Sequence, residues 1–141
     1  MKKFFSYFGL AILMVLMIGV LTAAAPKPNI QFTLVQGLPA TMDLGEKATV
    51  IVEVTSDTPF LYAQALPSAF FPGRGVVATV GDRVGRGQTA HLEVTFTAKN
   101  STIDFAQSPL EGYVPVSVIA GVRFAGGIVV SQPFDFMVKV P

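Results

Sequence analysis

The sequence predicts an all-β domain, built as two antiparallel sheets packed face to face and preceded by one N-terminal apolar helix. Three observations predict it. Apolar and polar residues alternate with a period of two in several stretches, as in half-buried strands. Turn-forming residues punctuate those stretches at fairly regular intervals. After residue 25 no segment repeats apolar residues at the helical period. An alternating strand leaves one apolar face to cover, and a second sheet covers it.

The chain begins Met1-Lys2-Lys3, then runs from Phe4 to Ala25 without Asp, Glu, Lys, Arg or His. A basic start, an apolar middle and the small residues Ala23-Ala24-Ala25 are the three parts of a secretory signal. The 18 residues from Phe8 to Ala25 also approach the length of a membrane-crossing helix. Residues 1–25 are therefore expected to be either a cleaved signal peptide or an uncleaved signal-anchor. Cleavage after Ala25 would leave Pro26 beside the cut, so Ala23 or Ala24 are the alternative sites. Lys2 and Lys3 would stay on the cytoplasmic side, which puts the rest of the chain outside. The leader is also similar to that of type IV pilin-like subunits: Lys2 and Lys3 precede Gly9, which leads into Leu10-Ala11-Ile12. That resemblance implies a filament subunit cut at Gly9. It departs from the bacterial pattern in lacking an acidic residue near the mature start.

Pro26-Lys27-Pro28-Asn29 is a stiff linker, residues 26–29, because proline stops a helix and extends its predecessor. The expected domain is 30–141. Ile30, Phe32 and Leu34 alternate with Gln31 and Thr33 as a first strand. Gly37, Pro39 and Leu44-Gly45 mark a loop or a strand that changes sheets. Ala48, Val50, Val52 and Val54 share one face of the clearest strand, closed by a turn at Ser56-Asp57-Thr58-Pro59. Residues 60–66 form the next strand and residues 76–80 a short one. Gly81 to Gln88 is a glycine-rich link. Leu92, Val94, Phe96 and Ala98 face inward on a strand over 90–98, with His91, Glu93, Thr95 and Thr97 outward. Strands over 113–120 and 121–124 are separated by a bend at Gly121. Ala125-Gly126-Gly127 is a hairpin turn. Residues 128–130 and 132–140 complete the set, with Phe134, Phe136, Val138 and Val140 on one face. The expected core is Val50, Val52, Val54, Leu92, Val94, Phe96, Val116, Val118, Phe134 and Phe136.

Composition narrows the function. The 116 residues after residue 25 make one domain, large enough for its own core. The chain has no cysteine, so there is no disulfide framework and no thiol to carry a lipid. From residue 26 on, eight basic side chains face nine acidic ones, with no basic stripe for nucleic acid.

Leu44-Gly45-Glu46-Lys47 leading into Ala48-Thr49-Val50-Ile51-Val52-Glu53-Val54-Thr55 resembles the opening of bacterial and archaeal immunoglobulin-like domains of the cell-adhesion-related type. Gly85 to Phe96 is similar to their later glycine-to-Val-Thr-Phe strand, and Gly112-Tyr113 with alternating valines to Val118 is similar to a third element. The resemblance implies an immunoglobulin-like sandwich that serves as a spacer, adhesive module or assembly part on the outer cell face. It implies protein contacts with envelope or cell-surface proteins, or self-association, and a membrane contact through residues 4–25 if these are retained.

Chemistry is poorly supplied. His91 is the only histidine, and its strand parity puts it on an outer face near Glu53. No Gly-x-Ser-x-Gly elbow is present, and a metal site needs several convergent donors. Asp57, Asp82 and Asp104 could approach one another at one end and hold calcium, but no ligand run such as Asp-x-Asp is present. No catalytic residue, cofactor or metal is assigned, and the chain is read as a non-enzyme, with a small sandwich-fold hydrolase or ligand binder as the lesser alternative. Arg74, Arg83 and Arg86 among glycines are candidate contacts for an anion or partner. Their simpler role is to keep an apolar domain soluble. Phe70 and Phe71 between Pro67 and Pro72 are a candidate apolar contact tip, or else a plug for the sandwich end. With no tryptophan, a sugar-stacking platform would rest on tyrosine. Asn100-Ser101-Thr102 fits the acceptor pattern for N-glycosylation in an exposed loop.

Overall fold

A computed structural model describes residues 27–68, 75–104 and 111–141. The expected N-terminal helix over residues 4–25 lies outside the described residues. Among the described residues no helix is long and apolar enough to cross a membrane. The described residues are mostly β, in seven strands: β1 (Ile30–Gln36), β2 (Lys47–Phe60), β3 (Tyr62–Ser68), β4 (Val76–Val80), β5 (Gly87–Ala98), β6 (Tyr113–Arg123) and β7 (Val129–Lys139). They form two antiparallel sheets, a four-stranded one in the order β1-β2-β5-β4 and a three-stranded one in the order β3-β6-β7.

The alternation read from sequence sets which side of each strand is buried. Val50, Val52 and Val54 of β2 and Leu92, Val94 and Phe96 of β5 are buried from the four-stranded sheet. Val114, Val116, Val118, Ala120 and Val122 are buried on one face of β6, and all belong to the same cluster. Phe134 and Phe136 share the inward face of β7 but are only partly buried; full burial on that strand begins at Val138. Met42 is fully buried although it belongs to no strand.

Several boundaries differ from expectation: β3 runs over 62–68 rather than 60–66, and β5 begins at Gly87, inside the expected glycine-rich link. The Ser56–Pro59 turn chemistry is present, because the Ser56 hydroxyl donates to Thr58 O at 2.7 Å and accepts from Thr58 N at 3.2 Å. It produces a register irregularity inside β2, and the strand continues to Phe60, which pairs with Gly87. The sheet change falls instead at Leu61, so Phe60 ends one sheet and Tyr62 begins the other. Gly121 does not bend β6. It keeps register with both neighbours, Gln64 and Ser131. Residues 129–139 form one strand, and Pro133 is accommodated because β7 is an edge strand, where proline costs no ladder bond. The hairpin turn at Ala125-Gly126-Gly127 is present, with Gly126 and Gly127 both at φ 85°, a conformation that suits glycine.

Two short crossings tie the sheets together at their sides. After β1 the chain leaves the four-stranded sheet, and Thr41 forms a parallel bridge with Lys139 of β7. Met42 N donates to Lys139 O at 2.9 Å, and Lys139 N donates to Ala40 O at 2.8 Å. On the other side, the link between β4 and β5 reaches β3: Ala63 and Val84 exchange two backbone hydrogen bonds, each 2.9 Å.

Candidate functional site

The outer face of the three-stranded sheet carries a groove of about 530 Å³. Its shape follows from register. Tyr62, Arg123 and Val129 form one cross-strand row, Gln64, Gly121 and Ser131 the next, and Leu66, Ile119 and Pro133 the third. The middle row has a glycine at its centre, so the sheet is hollow there. Flanking side chains rise on both sides, Leu66 at 48% exposure and Val129 at 63%. Arg83 comes to the rim because the Ala63–Val84 bridge holds its chain against β3. Its guanidinium lies over the Tyr62 ring, 4.2 Å from the centroid. Such a cation–π contact is worth roughly 0.5–1 kcal/mol at an exposed site and fixes the orientation of the charge. Arg123 supplies a second exposed cation, and among the described residues no acid lines the groove.

The far end of this face is different. Ser117 donates a hydrogen bond to the carboxylate of its cross-strand partner Asp135. The Lys139 ammonium stands 5.8 Å from the centre of the Tyr113 ring. Asp135 is thus used locally, and the groove end keeps its positive charge.

The residues singled out from the sequence are scattered. Arg83 lines the groove. Arg86 is exposed just before β5 and does not line it. Arg74, Phe70 and Phe71 lie outside the described residues. Asn100 is exposed, with its backbone N–H donating to Gly75 O at 3.1 Å. Thr102, two residues on, is 2% exposed. Its hydroxyl donates to Gly112 O at 2.5 Å and accepts from Val140 N at 2.7 Å, so the threonine of the acceptor tripeptide is built into the domain's end.

His91 sits on the outer face of the four-stranded sheet, opposite Glu53. Its Nε2 and the Glu53 Oε2 are 3.0 Å apart, and the two side chains are 65% and 42% exposed. The Asp57 carboxylate accepts from Asn29 N at 2.9 Å and from the Thr58 hydroxyl at 3.0 Å. Among the described residues no three His, Cys, Asp or Glu side chains converge as a metal site would require.

Arg123, Tyr62 and the Gln64–Gly121–Ser131 floor were not singled out from sequence. The available signal was parity. Carrying the β6 alternation through Gly121 puts Arg123 on the same face as Ile119. No known protein family matches the chain, and no curated protein sequence does either.

Proposed function

We propose that the chain is a non-enzymatic extracytoplasmic module with an immunoglobulin-like sandwich, secreted or membrane-tethered through residues 4–25, that makes protein contacts at the cell surface. The observation that carries this reading is the strand order. In constant-type immunoglobulin domains the first, second, fifth and fourth strands form one sheet, and the third, sixth and seventh form the other. The order β1-β2-β5-β4 against β3-β6-β7 is the same. Likeness of fold does not supply a task. The contact role draws its support from the outer face of the three-stranded sheet, where exposed apolar side chains sit beside two arginines.

Intact mass and N-terminal sequencing of the native protein, combined with protease added outside the cytoplasmic membrane, test the reading. The expected chain starts at Ala24, Ala25 or Pro26, or keeps Met1, and the domain is reached by the protease. A start at Leu10 would support a pilin-like filament subunit instead. A chain shielded from the protease until the cells are lysed would overturn the extracytoplasmic assignment.

A further inference from the structure

The geometry points to the groove on the three-stranded sheet as a docking trough for an extended, carboxylate-bearing aliphatic peptide segment of a partner protein; this deepens the contact-module reading and rests on it. The trough runs across the strands, along the Gln64–Gly121–Ser131 row. Neighbouring strands lie about 4.8 Å apart, so the three-strand floor spans roughly 10 Å, the reach of about three extended residues. The rows that wall it begin at Tyr62 and Leu66, four residues apart on β3, or about 13 Å at strand rise. That width admits one extended chain with its side chains.

The chemistry of the trough selects the occupant. One wall is aliphatic, from Leu66 and Ile119. The other carries both cations, Arg123 and the Tyr62-stacked Arg83, with Val129 at its far end. With no acid among the lining residues, both guanidinium groups are available to fork onto carboxylates. The floor is polar at both ends, an amide at Gln64 and a hydroxyl at Ser131, which suits a peptide backbone better than an acyl chain. An extended peptide that alternates aliphatic and acidic residues presents one kind of side chain to each wall.

Gly121 allows a clean test. A Cβ there would meet only ordinary contacts, the nearest being Gln64 O at 3.9 Å and Ser131 Cβ at 3.9 Å. The backbone there tolerates a Cβ, and Gly121→Val puts a branched side chain into the trough. The full chain, isotope-labelled and held in mild detergent, is titrated with an acetylated hexapeptide of alternating leucine and glutamate. A leucine–glutamine hexapeptide is the control. We expect amide shifts centred on Gln64, Gly121 and Ser131, and at least tenfold weaker binding by the glutamine peptide. The Arg83→Glu/Arg123→Glu double variant is expected to lose binding by a similar factor. Gly121→Val is expected to lose it with unfolding temperature unchanged or raised. Equal binding of the two peptides, undiminished binding by Gly121→Val, shifts elsewhere on the domain, or no binding at millimolar peptide would each overturn the trough. Those failures leave the N-terminal sequencing and protease result untouched, so a failed trough is distinguishable from a failed contact-module reading.

Discussion

On the outer face of the four-stranded sheet, two cross-strand pairs satisfy each other. Thr49 and Thr95 share a side-chain hydrogen bond of 2.9 Å, and Glu53 faces His91. Thr55 stands opposite Thr89, and Thr79 continues the Thr49–Thr95 row onto β4. On the outer face of the three-stranded sheet the middle row is nearly empty at its centre, and the groove's guanidinium groups have no acid beside them. Both faces come from the same period-two alternation. They differ in what fills the outward positions: threonines and a Glu–His pair that meet across the strands on one sheet, and long side chains around a glycine on the other. A face whose polar groups are already paired gains little from a partner. A hollow with uncompensated charge gains more.

The largest difference lies between the two faces of β6. Val118 is fully buried, and its neighbour Ile119 walls the trough. Val118→Asp puts a carboxylate into the shared core and is expected to cost more than about 4 kcal/mol, enough to abolish a cooperative transition. Ile119→Asp is expected to cost about 1 kcal/mol or less, within the span of strand propensities. Urea unfolding of both variants decides it, and equal costs would mean that the parity of β6 is wrong.

Glycines sharpen the contrast at the next scale. At Gly81 a Cβ would sit 2.5 Å from Glu93 O, whose carbonyl accepts the Gly81 N–H at 3.0 Å. Gly81→Ala must push β4 off β5 and is expected to cost about 1–3 kcal/mol. Gly121→Ala is expected to gain about 0.5 kcal/mol, because the unfolded chain loses freedom and the strand loses nothing. Opposite signs in thermal unfolding would separate a glycine required by backbone approach from one that only hollows a face.

The smallest effect belongs to the paired face. A double-mutant cycle on Glu53→Ala and His91→Ala is expected to give a coupling of about 0.2–1 kcal/mol, falling with added salt, as for an exposed ion pair. A coupling above about 2 kcal/mol would show that this pair is more than a surface contact.

Much of the fold was legible because burial and alternation say the same thing in β2 and β5. Val50, Val52 and Val54, and Leu92, Val94 and Phe96, were assigned inward and are buried. Legibility failed where local chemistry and tertiary pairing disagree. Ser56 to Pro59 carries strong turn residues, yet β2 runs on past them: Ser56 still pairs with Ile30, and after a register shift Phe60 pairs with Gly87. Gly121 signals a bend locally, but flanking strands fix its register. Met42 and Thr102 were invisible for another reason. Neither lies in a periodic segment, and each is buried by a partner distant in sequence: Met42 N bonds to Lys139, and the Thr102 hydroxyl to Val140. The groove was half legible. Arg83 was a candidate for its charge, whereas Arg123 entered only through the register of three strands.

The parallel bridge at Thr41 has a mechanical side. Residues 40–42 lie early in the domain and Lys139 lies at its end, and the two run in the same direction. A pull on the chain before β1 and an opposite pull beyond Pro141 slide these segments past each other. Met42 N to Lys139 O and Lys139 N to Ala40 O then take the load together, rather than parting one after the other as in a peeled hairpin. Lys139 also pairs with Tyr113, and Val140 N is held by the buried Thr102 hydroxyl. Tension entering at the C-terminal end is therefore handed across the sheets to the first strand's own connection.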